Sequence, residues 1–256
     1  MQICNEYQFK ILSKGEADYF RQSVECLTST FVGMNIADKL VQEPILGYLR
    51  VSHDVFYAFV KDYMNAVVDQ GYCSIAITKG RVVGVLACDT YAPAVEEYYE
   101  YQSFLSVMNV VKFVINDVSK RFMDDYAKKH GKTMCDGEVL HLFMLGVSAE
   151  RNRHYIVNQL VHKVLNKAAK KGLKLAFGEA TNPKSMTLLE RYVGMSKYRD
   201  INGNPIVHTY EDDKLLRGIP KAIADGVYVI ARNLENYLSD TINREANSNL
   251  LKLQFN

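Results

Sequence analysis

The spacing of apolar residues along this chain shifts from alternation to a helical repeat and back. Tyr7 to Leu12 alternates like a short strand, and Phe20, Val24, Leu27 and Phe31 then recur at helical spacing, predicting a helix over 17–31. A linker with Gly33, Pro44 and Gly47 leads to Ser52, a suitable N-cap for a second helix that Gly71 would close. The β-rich runs "CSIAIT" and "VVGVLACD" flank Lys79-Gly80-Arg81 and predict a hairpin. Residues 94–131 return to helical periodicity, predicting a helical insertion between the third and fourth strands; an insertion of this kind is often a lid. Val139 to Val147 is a nearly continuous apolar strand, 152–171 a helix closed by Gly172, and 175–179 another strand. That order has the spacing of a right-handed βαβ crossover, which makes the two strands parallel. Pro183 opens a further helix ending near Tyr192 and Gly194, and strands follow at 195–201, continuing at 206–210, and at 227–231.

These elements fit one domain over 1–234, with a polar tail at 235–256. With 256 residues, 48% of them apolar, the chain can bury a real core. A net charge of +2 gives no long-range reason to expect nucleic acid or an anionic membrane as partner. The five cysteines contain no C-x-x-C pair, so neither a disulfide framework nor a zinc site is expected, and no metal is. The N-terminus lacks a basic region followed by an apolar one, and no apolar run approaches the ~20 residues of a membrane span. A cytoplasmic protein, monomer or homodimer, is the expectation.

The stretch "HLFMLGVSAERNRHYIVNQL" begins as a strand and ends as a helix, so a turn at 148–152 presents a helix N-terminus. From Val139 to Lys197, "LHLFMLGVSAERNRHYIVNQLVHKVLNKAAKKGLKLAFGEATNPKSMTLLERYVGMSKY" resembles the core of the GNAT superfamily of acyl-CoA-dependent N-acyltransferases. Within it, "HLFMLGV" and "STFVGMN" look most like the arylalkylamine and serotonin N-acetyltransferase branch. The resemblance implies an α/β (α+β) fold with a mixed, mostly antiparallel sheet of about seven strands, a central parallel βαβ unit and helices on both faces. It also implies transfer of an acetyl or short acyl group from acetyl-CoA to a primary amine by direct attack on the thioester. The amine is expected to be a small molecule, or else a protein or peptide amine.

The family's (Gln/Arg)-x-x-Gly-x-(Gly/Ala) turn falls on Asn152, Arg153, His154, Tyr155, Ile156 and Val157, where both glycine positions and the leading Gln or Arg are lost. Free N–H groups in a helix's first turn and the positive dipole end bind a diphosphate, and glycine leaves that backbone uncovered. If Tyr155 and Val157 needed positive φ, each would be strained by roughly 1–2 kcal/mol, so ordinary helical φ is expected. Cations at Arg151, Arg153 and His154 oppose the helix dipole unless an anion sits there. The two readings, a retained anion site and a solvated turn, both stand at this point.

His141, six residues before Val147, matches a family histidine able to take the ammonium proton, with Glu138 and Glu179 as substitutes; the plain alternative is a satisfied strand-end histidine. The resemblance also implies a bulge at Leu145, Gly146 and Val147 that splays the strand to admit the pantetheine arm. Asn182 would bond that arm or simply cap a helix, and Ser185 lies one turn on. The family's thiolate-protonating Tyr position is Leu189, leaving Tyr192 as a substitute in a segment one residue longer than usual. "VEEYYEYQSF" could attract a cationic amine or be a solvated helix face, and Lys163, Lys167, Lys170 and Lys171 read as the wet side of a helix. The accumulated losses motivate an alternative: a catalytically degenerate protein of this fold that binds acyl-CoA or another ligand as a sensor or interaction module.

Overall fold

The computed structural model describes residues 6–36, 38–90, 108–134, 137–149 and 152–239. The run 95–104, the first part of the insertion, Cys4, Cys135, Arg151 and the tail beyond 239 lie outside the described residues.

The order is β1 (Gln8–Ile11), α1 (Ala17–Val32), β2 (Met34–Ile36), β3 (Lys39–Val41), α2 (Pro44–Leu49), α3 (His53–Val67), β4 (Ser74–Thr78) and β5 (Arg81–Asp89). Then come α4 (Met108–His130), β6 (Val139–Val147), α5 (Arg153–Lys170), β7 (Leu175–Ala180), α6 (Pro183–Leu188), β8 (Ser196–Lys197), β9 (Val207–Thr209) and β10 (Gly226–Asn233). Ser52 caps α3 by accepting from the Val55 amide at 3.4 Å, and Gly71 ends the following 3₁₀ turn at φ 75°. The linker holds more order than its composition suggests: β2 and β3 form a small hairpin, and Glu43 and Pro44 start α2.

The main sheet runs β1-β4-β5-β6-β7-β10-β8, with β9 on β10, giving eight strands where about seven were expected. Among the described residues only β6 and β7 pair in parallel; the remaining ladders of the main sheet are antiparallel. The predicted crossover is thus present, with α5 packed on one face through Ile156, Leu160, Val161 and Val164 against Leu140, Leu142 and Ala176. α1 and α3 cover the opposite face beside Val85, Ala87 and Met144, and α4 covers it through Val118 and Phe122 beside Val139 and Phe177. Burial of these apolar side chains, each stabilising by about 1.5–3 kcal/mol, is what holds helices to sheet.

Two close approaches decide where the helices sit. A Cβ on Gly84 would stand 2.7 Å from Ile156 Cγ2, so glycine there lets the first turn of α5 lie against β5. A Cβ on Gly146 would collide with the Thr30 hydroxyl, so this glycine serves the packing of α1 rather than a bulge. The bulge lies elsewhere, which corrects the sequence expectation: β5 and β6 shift register between Ala87–Met144 and Cys88–Leu142, leaving Phe143 as the extra residue.

Candidate active site

β6 and β7 share a ladder for three residue pairs only, Val139–Leu175, Leu140–Ala176 and His141–Phe177. Beyond His141 the strands part, so residues 142–147, including Leu145 and Val147, carry no ladder partner on the β7 side. Gly178 sits where the bulged strand leans back, since a Cβ there would meet the Leu142 carbonyl oxygen at 2.6 Å. A parallel pair that opens midway leaves backbone N–H and C=O groups able to pair with an extended ligand.

α5 begins at the far end of that opening. Asn152 is its N-cap at φ 58°, a left-handed conformation that asparagine tolerates better than most residues. Tyr155 and Val157 have ordinary negative φ, as expected. The first intrahelical bond runs from the Ile156 amide to the Asn152 carbonyl at 3.0 Å, so the amides of Arg153, His154 and Tyr155 precede it. Ile156 and Val157 turn into the core, and Tyr155 leans edge-on against Phe9 with ring centroids 5.8 Å apart. The side chains replacing glycine therefore point away from the turn. Arg153 is half-buried near Cys26, and His154 is exposed.

On the opposite face, His141 is buried with both ring nitrogens on carboxylates: Nδ1 lies 3.2 Å from Asp89 Oδ2 and Nε2 2.7 Å from Glu179 Oε2. The Tyr63 hydroxyl donates to Asp89 at 2.7 Å, and the Ser119 hydroxyl donates to Glu179 at 2.5 Å. Burial alone would lower the imidazole's pKa, but the Glu179 and Asp89 charges and their hydrogen bonds outweigh it and hold it up at about 10. Two carboxylates on its two ring nitrogens favour the imidazolium form, which has no lone pair to offer.

A second titratable group went unnoticed in the sequence. Glu43 is buried as the N-cap of α2, where Oε2 accepts from the Leu46 amide at 2.6 Å. Its Oε1 has no hydrogen-bond partner among the described residues, and Thr181, just past the end of β7, is a polar neighbour of the carboxyl. Burial raises this carboxyl's pKa, backbone amides and Thr181 only partly opposing it. The buried Tyr210 hydroxyl is also unpartnered, and its phenol is pushed up by burial and then by Glu43's charge. Two buried oxygens, on Glu43 and on Tyr210, whose phenol feels the Glu43 charge, are thus left without a hydrogen-bond partner among the described residues.

No family model and no curated protein matches the sequence. Solved structures do. The chain superposes on the polyamine N-acetyltransferase of Drosophila melanogaster with a TM-score of 0.60 at 16% identity, covering 89% of this chain and 100% of that one. It is similar to arylalkylamine N-acetyltransferase 2 of Aedes aegypti with a TM-score of 0.60 at 15% identity, covering 90% and 100%. It is similar also to the C-terminal condensation domain of Ebony, in complex with beta-alanyl-dopamine, with a TM-score of 0.61 at 14% identity, covering 89% and 99%. This chain has the GNAT fold.

Against the GNAT pattern the remaining candidates divide. Asn182 caps α6, its Oδ1 accepting from the Lys184 amide at 2.9 Å, and Ser185 is half-buried on the same turn. Leu189 is buried in the core, and the extra residue in this segment is absorbed by a π-helical turn over Leu189–Val193. That turn brings Tyr192 over the start of α5, its ring 5.7 Å from that of His154. Glu138 is not brought to the site: it precedes β6, is ion-paired with Lys132 at 2.8 Å, and lies roughly 30 Å of strand from Val147 at ~3.3 Å per residue. Among the described residues no helix is long and apolar enough to cross a membrane.

Proposed function

We infer that the chain is an acyl-CoA-dependent N-acyltransferase for an amine acceptor. The observation that carries this reading is the parting of β6 from β7 directly beside a helix start with uncommitted amides. In this reading the amides of Arg153, His154 and Tyr155 hold the diphosphate, with the Arg153 and His154 side chains adding charge and Ile156 and Val157 anchoring the turn in the core. The strand edge at Leu145 and Val147 and the amide of Asn182 line the pantetheine arm, with Ser185 beside it. Bound there, acetyl-CoA supplies an acyl carbon activated as a thioester.

Glu43 takes the ammonium proton, since a carboxyl whose proton affinity burial raises and whose Oε1 has no hydrogen-bond partner among the described residues suits a general base. The Tyr210 hydroxyl beside it orients the amine. The neutral amine needs no covalent enzyme intermediate. Tyr192 is the exposed phenol available to return a proton to the leaving sulfur. A panel of arylalkylamines, polyamines and amine-bearing peptides, assayed for thiol release from acetyl-CoA, is expected to yield at least one substrate.

The burial of Leu189 where the family's tyrosine would stand favours a second reading, a ligand-binding protein without turnover. Saturable acetyl-CoA binding with no thiol release across the whole panel would support it and rule out the enzyme.

A further inference from the structure

Asp89, His141 and Glu179 lie in a row across three neighbouring strands. Asp89 and His141 are direct partners in the β5–β6 ladder, and His141 pairs with Phe177 as the last rung between β6 and β7. Glu179 is two residues past that rung and on the same face as Phe177, because side chains alternate along a strand. The 2.7 Å bond from His141 to Glu179 therefore spans the gap just where the backbone ladder stops.

The row is anchored at both ends. Tyr63 on α3 holds Asp89, and Ser119 on α4 holds Glu179, so neither carboxylate is free to turn away. The imidazole is also fixed in plane, stacked on Phe177 at 4.8 Å and 16° and tilted against the bulge residue Phe143 at 5.3 Å. We propose that His141 is a positioning residue, a side-chain rung that continues the β6–β7 pairing past its last backbone rung and sets the width of the opening. Its purpose rests on the acyl-CoA reading, because the opening matters only if something enters it, but the rung itself is testable without ligand.

The two carboxylates then have unequal roles. Asp89 supports the imidazolium from a strand that stays paired to β6, whereas Glu179 carries the charged link across the gap. Glu179→Ala and Asp89→Ala each remove one buried carboxylate and leave His141 paired with the other, so both are comparable and neither strands an uncompensated charge. Hydrogen exchange of the unliganded protein is the primary measurement. Because a charged hydrogen bond is lost, Glu179→Ala should speed amide exchange roughly tenfold or more within 142–147 and 178–181, and Asp89→Ala should leave those segments near wild type. Glu179→Gln, which keeps an acceptor for Nε2–H, should restore much of the protection.

Kinetics separate positioning from proton transfer. Glu179→Ala is expected to raise KM for acetyl-CoA by roughly tenfold with a much smaller change in kcat, the loss falling on binding. The acid limb of the pH–rate profile should stay where it is in both variants. Equal exchange in the two alanine variants, or no change in either, overturns the rung. If wild type neither binds coenzyme A nor turns over, the acyltransferase reading fails, and the exchange data alone still decide the rung.

Discussion

Glu43→Gln is expected to lower kcat by roughly 10²–10⁴ while leaving acetyl-CoA affinity intact and the fold at least as stable. Glutamine keeps the cap on the Leu46 amide and removes only the ability to bind a proton. The stability half of this result follows from sign. The folded protein holds Glu43's proton more tightly than the unfolded chain does, so the stability it contributes is present below the ordinary carboxylate range and is lost as pH rises through the raised value. Above the ordinary carboxylate range the buried acid opposes folding, and the neutral amide relieves that. Steady-state kinetics with thermal unfolding of the same samples read both halves. A variant that keeps its kcat but melts lower would make Glu43 a helix cap and nothing more.

Removing His141 has the next largest effect and shows most clearly against pH. Its folded pKa is raised, so the stability it contributes is complete below its ordinary value near ~6.5 and disappears as pH climbs through about 10. Within that window the wild type should lose stability with a slope approaching ~1.4 kcal/mol per pH unit. The titratable groups around Asp89 do not confuse the reading: burial and the neighbouring charge push the Tyr63 phenol and the Cys88 thiol well up, and burial takes the Cys73 thiol to about 12. Glu179 and Asp89 supply the charges that titration of His141 would leave facing each other. Urea unfolding at a series of pH values is expected to show this decline in wild type and a flatter, lower curve in His141→Gln. Parallel curves for the two proteins would mean that His141 is not charged in the fold.

The crossover β6-α5-β7 was legible because its periodicity changes cleanly from a continuous apolar run to a helical stripe and back, and local pattern is enough to set such elements. The extra residue before Gly194 was also visible as a length mismatch, though only the backbone shows that a π turn absorbs it and swings Tyr192 over His154. The bulge was misplaced because it depends on how β6 registers against β5, a relation between strands far apart in sequence. Glu43 was missed for a similar reason. It sits in a Gly- and Pro-containing linker with no period, and its meaning comes from an oxygen left alone beside Tyr210 and Thr181. The one local signal was a charged residue directly before Pro44 and the buried Ile45 and Leu46, the pattern of an acidic N-cap. His141 was found by spacing, yet its role as a paired cation depends on Asp89 and Glu179 arriving from two other strands.

The turn at Asn152–Val157 is the most direct place to test the account, through calorimetric titration of acetyl-CoA against S-acetylpantetheine, which lacks the diphosphate and nucleotide. Charge-assisted bonds from even two uncommitted amides are worth about 1.5–3 kcal/mol each, so acetyl-CoA should bind one per chain and at least roughly 100-fold more tightly than the truncated thioester. Equal affinities, or no heat with either compound, would contradict a diphosphate held at the start of α5.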